Sequence, residues 1–304
     1  MPGTYFGPGD GEQYSDYANG GNANLGRFPL GHTLILPDQR EYKFTLNDTV
    51  TEVAGYLYQS VAPVAAHMDV LVTTPAAIAA TAISGTMTAT AAAIDIYTEG
   101  VVHVNKATGY GYSFRIKRAF TAGDAHAAAA STGTLTVNLE TGETVQVALD
   151  TTTGVSFSRN RYHAVTIHPA PPTAQLAGVS PGVAAASRWY WSQTKGYAAV
   201  LANLTLLAGL PVQPDLATNG AVTSMKRRVQ TSGTTVAGSA AAAAFVAVLD
   251  QDGTTSGLFI GCGTAGVTGI IDIGGGIAAN APPIGICVKA NASTEFALIN
   301  LNIP

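Results

Sequence analysis

Charge is what this chain has least of. Lysine, arginine, aspartate and glutamate make up 11% of its 304 residues, against about 25% in ordinary soluble domains. The formal net charge of −4 provides no field to draw in nucleic acid or an anionic membrane. Cysteine is nearly absent as well. Cys262 and Cys287 sit in strand-like segments without a paired spacing or a nearby histidine, so a zinc site is not expected. Both read as small buried hydrophobes, or as a disulfide in an oxidising medium. The longest stretch without charge or histidine, Val70 to Ile94, is broken by Thr, Ser, Gly and Pro75. It is too polar for a membrane helix of about 20 apolar residues. Met1 to Gly21 has neither a basic nor an apolar leader region, so assembly in the cytoplasm is the expectation.

Motifs that carry chemistry are also missing. There is no HExxH, GxSxG or P-loop pattern. His163 and His168 are five residues apart, which on a strand puts them on opposite faces and away from a shared metal. Asp250 and Asp252 resemble the opening of a calcium loop but lack its downstream glutamate, and a tight turn is expected there. Gly274 to Gly276 lacks the spacing and the lysine of a phosphate loop. Weak basic clusters at Arg115, Lys117 and Arg118, at Arg159 and Arg161, and at Lys226 to Arg228 read as solvated or subunit-contact positions rather than a nucleic-acid surface. No catalytic residue, cofactor or metal is assigned, and the chain is not expected to be an enzyme.

What is abundant is glycine (34 residues), alanine and threonine, in short alternating segments. Tyr112, Phe114 and Ile116 alternate with Ser113, Arg115 and Lys117, a half-buried strand. Val101 to Val104 is its expected partner. Gln39 to Leu46 gives another strand. Thr134 to Leu139 and Glu143 to Leu149 read as a hairpin closed at Glu140-Thr141-Gly142. Pro75 to Ile94 reads as two short strands around a turn, although its alanines favour helix. Leu46 to Val53 is open between helix and strand. Trp189 and Trp191 project to one face and Tyr190 and Ser192 to the other. Lys195-Gly196 reads as a turn, with Tyr197 to Leu201 returning beside the tryptophans. The tryptophan face is expected in the core, with the more polar Tyr190 and Ser192 facing out.

The fold class is therefore all-β: two antiparallel barrel or sandwich domains with an extended N-terminal arm. Residues 1–30, rich in Gly, Asn and Tyr, form the arm, expected to lie on a neighbouring subunit rather than on its own domain. The first β domain spans 31–165. A Pro-rich connector follows at 166–187. The C-terminal barrel spans 188–304, with an Ala/Gly/Thr-rich insertion at about 223–280.

Three stretches carry a resemblance. Ala91 to Ile116 runs AAAIDIYTEGVVHVNKATGYGYSFRI, Arg188 to Ala221 runs RWYWSQTKGYAAVLANLTLLAGLPVQPDLATNGA, and Ile284 to Pro304 runs IGICVKANASTEFALINLNIP. The aromatic pair followed by Gln, the Gly-x-Ala-x-Val strand, the Leu-x-Gly turn and the closing strand resemble virion structural proteins of tailed, especially marine, bacteriophages. The resemblance covers about a third of the chain, in order; residues 223 to 280 have no counterpart in it. It implies a capsid decoration or cement protein that assembles with copies of itself, for instance as a trimer, and with the major capsid protein. Its implied place is the virion, with no direct contact to nucleic acid or membrane. The alternatives are the shell-forming capsid subunit, which the lack of a long amphipathic helix disfavours, and a tail-fibre module binding a host glycan through exposed aromatics. Candidate structural and interface residues are Tyr5, Phe6, Tyr14, Tyr17, Arg115, Lys117, Trp189 and Trp191.

Overall fold

A computed structural model describes residues 28–225, 248–249, 255–256, 283–291 and 295–304. Within them the chain is all-β. The strands are β1 (Thr33–Ile35), β2 (Glu41–Leu46), β3 (Leu57–Gln59), β4 (Val70–Leu71), β5 (Ala82–Thr86), β6 (Val101–Lys106), β7 (Ser113–Arg115), β8 (Thr134–Asn138) and β9 (Gly154–Ser158). They continue as β10 (Thr166–Ile167), β11 (Leu176–Val179), β12 (Trp189–Leu201), β13 (Pro211–Pro214), β14 (Val222–Ser224), β15 (Val248–Leu249), β16 (Thr255–Ser256), β17 (Gly285–Lys289) and β18 (Phe296–Asn302). A single 3₁₀ turn, Ala65–His67, is the one helical element among the described residues.

A ten-stranded sheet in the order β10-β3-β11-β12-β18-β17-β13-β14 is the frame, with β1 and β2 joined to it through β12. The sheets cut across the boundaries read from the sequence. Strands β1 to β3 share this sheet with strands beyond residue 188, and the Pro-rich stretch 166–187 supplies two of its strands, β10 and β11, rather than a bare connector. Residues between β3 and β10 leave the sheet and return beside their point of departure, because β10 pairs with β3 (Thr166 with Gln59, Ile167 with Tyr58). The excursion carries its own sheets, β4-β9-β6-β7 and β5-β8.

The two sheets of the excursion enclose one core of Val70, Ile83, Val102, Val104, Leu135, Val137, Val155 and Phe157, among others. Alternation explains it: in β6, Val102 and Val104 are buried while their neighbours are not. Gly85 in β5 permits the close approach of the layers. A Cβ there would stand 2.8 Å from the Phe157 ring and 2.9 Å from Val70. The pairing of Val101–His103 with Ser113–Arg115 follows the pattern of the sequence. The Thr134 hairpin does not form. β8 pairs instead with β5, Ile83 opposite Val137, and Glu143 to Leu149 runs beside residues 76–80 through backbone bonds of Val145 with Ala79 and Ala80 and of Leu149 with Ala76. Pro75 to Ile94 thus supplies one strand, β5, and not two around a turn. After Leu46 the chain is neither helix nor continuous strand.

The largest correction concerns Lys195-Gly196. The chain does not reverse there; β12 is continuous over 13 residues. Gly196 has a φ of +85°, and the register of β12 against β2 shifts between Gln193 and Lys195. This is a β-bulge, an extra residue that bends the strand. A Cβ on Gly196 would also meet Arg40 at 2.8 Å. The first half of β12 pairs with β2, Trp191 opposite Phe44, and the second half with β18, Tyr197 opposite Asn300.

Candidate functional site

Trp189 and Trp191 lie in the core, 8% and 0% exposed. They pack with Phe44 (ring centroids 5.4 and 4.9 Å) and Phe28 (5.6 Å from Trp191). Neither forms an outer surface. The opposite face of this half-strand is buried too. Tyr190 and Ser192 are as enclosed as the tryptophans, where a polar, solvent-facing pair was expected. The cover comes from residues around Glu52, Tyr58 and Ser180. Tyr58 Oη accepts a hydrogen bond from the Val53 N–H at 2.6 Å. Glu52 is buried beside the Tyr190 and Ser180 hydroxyls, without ideal hydrogen-bond geometry to either. Burial pushes its carboxyl pKa well above the ordinary value, and the two hydroxyls offset this only in part.

Beyond the bulge, β12 changes character. Tyr197 and Ala199 turn outward, and so do Phe296 and Leu298 on β18 and Ile286 and Val288 on β17. Register places Ala199 beside Leu298 and Leu201 beside Phe296. The result is a largely apolar outer face on three adjacent strands, with the exposed Asn300 between Tyr197 and Ile286 and Lys195 and Glu41 paired at one end (2.9 Å).

Arg115 and Lys117 flank the buried Ile116 and point away from the core. Arg115 reaches 3.9 Å from Glu99, but the close partner of Glu99 is Arg118, Nε to Oε1 at 2.9 Å. Glu99 Oε2 also accepts the Leu30 N–H at 2.6 Å. Tyr5, Phe6, Tyr14, Tyr17, Cys262, Asp250, Asp252 and Gly274 to Gly276 lie outside the described residues, as does most of the insertion at 223–280. Cys287 is a buried free thiol.

Three of the histidines, His67, His126 and His168, bond backbone groups. His126 Nε2 accepts the Tyr97 N–H (3.1 Å), so Nδ1 carries the proton donated to Ala127 O (2.8 Å). Burial lowers the His126 pKa, in keeping with this neutral tautomer. His67 donates from Nε2 to Thr90 O (2.8 Å), and its Nδ1 accepts from the Tyr97 hydroxyl. His168 directs both ring nitrogens at carbonyl oxygens, of Pro169 (2.9 Å) and Ala221 (2.8 Å). His163 lies apart from it, near Arg159 and His126; burial, then Arg159, lowers its pKa to about 4. Among the described residues no group of three or more His, Cys, Asp or Glu side chains is placed to hold a metal ion.

Two concavities stand out among the described residues. One, of about 360 Å³, is lined by Arg40, Gly55, Ser180, Tyr197 and Phe296 where β11 and β12 diverge. The other, of about 610 Å³, lies where the chain leaves β3 and returns to β10. Arg159 and Arg161 lie on its wall, with Tyr97 behind them. These arginines are legible in the sequence only as a weak basic pair. Comparison of the chain with protein-family models, with curated proteins and with solved structures returns no match.

Proposed function

We propose that this chain is a structural subunit of a bacteriophage virion, a decoration or cement protein that stabilises the particle through many repeated contacts. The observation that carries the reading is the apolar outer face of β12, β18 and β17, where Tyr197, Ile286 and Phe296 are 59%, 51% and 42% exposed. Large apolar side chains gathered on one sheet surface favour burial against protein. Weak contacts repeated over symmetric positions add to strong attachment. The three stretches that resemble tailed-phage virion proteins support the same reading, and two of them supply β12, β17 and β18. In this reading the two β units form barrel or sandwich domains, residues 1–30 reach a neighbouring subunit as an arm, and the partners are further copies and the major capsid protein.

The test is electron cryomicroscopy of purified particles from the source that encodes the chain. Density for a 31.0 kDa all-β subunit is expected on the head, in copies matching the shell symmetry. Absence of the chain from purified particles overturns the proposal. A second reading, a tail-fibre module that contacts a host glycan, draws on Tyr110 and Tyr112, which are exposed at the turn between β6 and β7. Density on the tail instead of the head selects it.

A further inference from the structure

We infer that the cleft of about 610 Å³ between the large sheet and the excursion binds a small molecule bearing an anionic oxygen group. The inference stands independently of the virion reading. Three segments build the cleft: residues 60–64 leaving β3, 157–161 returning from β9, and 172–175 before β11. Its volume falls within the roughly 300–1,000 Å³ of small-molecule sites.

The charge balance of the cleft points to an anion. Its lining includes Arg159 and Arg161 and no aspartate or glutamate. None of the ion pairs among the described residues uses either arginine. Two acids of the excursion are engaged elsewhere. Glu99 holds Arg118 and the Leu30 N–H. Asp95 accepts the N–H groups of Gly123, Ala125 and His126. Arg161 directs its guanidinium at the backbone oxygens of Leu176 and Pro304, so it contributes charge more than free donors. Arg159 is different. The Tyr97 hydroxyl lies within hydrogen-bonding reach of its guanidinium, while its buried Nε has no hydrogen-bond partner.

A guanidinium on the wall of a concave site gains most from a carboxylate, sulfate or phosphate oxygen. A second cation two residues away adds to that field. His163, the titratable neighbour of Arg159, stands neutral above about pH 4 and does not compete as a cation near neutrality. Val61, Pro63 and Pro172 give the rest of the wall an apolar character, which suits a ligand with a carbon body rather than a bare ion. The geometry thus favours a compact organic acid or an acidic monosaccharide.

The experiment is calorimetric titration of the full chain with four probes: glucuronate, glucose, inorganic sulfate and inorganic phosphate. Saturable binding of glucuronate without binding of glucose is expected, with affinity falling as sodium chloride rises. Tighter binding of sulfate or phosphate than of glucuronate would keep the anion site and discard the carbon body. Arg159→Gln should weaken binding by about tenfold or more, and Arg159→Lys by less. Arg115→Gln, outside the cleft, should leave it unchanged. Equal binding of glucose and glucuronate, or no saturable binding of any anion by the wild-type chain up to about 10 mM, overturns the inference. Both wild-type outcomes are decisive even if Arg159→Gln fails to fold.

Discussion

Glu99 and Arg118 form an ion pair, Nε to Oε1 at 2.9 Å, whose acid is 1% exposed and whose base is 15% exposed. The pair joins the two units of the fold. Glu99 opens the excursion's main sheet, and its other oxygen receives the Leu30 N–H. Arg118 donates to the Phe28 carbonyl at 2.7 Å. Burial raises the Glu99 pKa, and Arg118 opposes that shift. Removing one partner of an enclosed pair leaves the other charge uncompensated. Glu99→Ala should lower unfolding free energy by about 3–5 kcal/mol, read by urea denaturation. The double replacement Glu99→Ala with Arg118→Met should recover part of the loss. A cost below about 1 kcal/mol would mean the pair behaves like a surface contact.

Trp191 is the largest fully buried side chain and touches Phe44, Phe28 and His32. Trp191→Ala removes a ring that its neighbours cannot collapse to replace. A loss of about 3–5 kcal/mol is expected, visible as a lower melting temperature of the isolated chain. An unchanged melt would contradict the packing of β12 on β2.

Gly85 tests the layered packing of the excursion. Gly85→Ala places a methyl within 2.8 Å of the Phe157 ring and 2.9 Å of Val70. Both neighbours are buried, and each would have to shift to admit it. Overpacking of this kind costs about 1–3 kcal/mol. A neutral result in chemical denaturation would show that the two sheets separate more easily than their contacts imply.

His163 gives a pH signature. Burial and Arg159 hold its pKa at about 4, against 6.5 unperturbed. The folded chain therefore binds this proton less readily than the unfolded chain. The stabilisation is complete above pH 6.5 and is lost as pH falls towards 4. Between pH 7 and about pH 4.5 the wild type should lose roughly 2–3 kcal/mol more than His163→Gln. Unfolding curves at the two pH values give the difference, and parallel losses in both proteins would reject it.

Glu52 acts with the opposite sign. Its raised pKa means that the folded state prefers the protonated carboxyl, so burial costs stability near neutrality and the cost fades as pH falls. Glu52→Gln should be more stable than wild type at pH 7, with the gap closing on acidification towards the unfolded carboxyl pKa. A gap that widens in acid would show that the carboxylate form is the stabilising one.

Local alternation was readable; long-range partnership was not. Tyr112 to Lys117 and Val101 to Val104 pair as their period of two suggests, because their turn is short and their faces differ in polarity. Glu143 to Leu149 has the same look, yet β8 finds β5 instead, since Ile83 and Val137 complete the shared core. Gly196 was read as a turn, but a positive φ serves a bulge as well, and here it serves the bulge. What decides is the partner on either side, here β2 and then β18, both distant in sequence. Tyr190 and Ser192 appear solvent-facing until residues near 52–58 and 177–184 fold over them. The cleft was beyond reach for the same reason. Arg159 and Arg161 are visible in sequence, but the walls facing them come from residues 60–64 and 172–175.

The return of the excursion beside its own starting strand has a consequence for synthesis. Strands β4 to β9 pair only with one another, so this unit can fold while the ribosome is still working. The frame must wait longer. Its central strand needs β18, with Lys195 opposite Asn302, and is incomplete until residues 296–302 emerge. Until then the second half of β12 exposes an unsatisfied edge and both of its apolar flanks. Nascent chains and early truncations should therefore aggregate through that half-strand, while the excursion is already native.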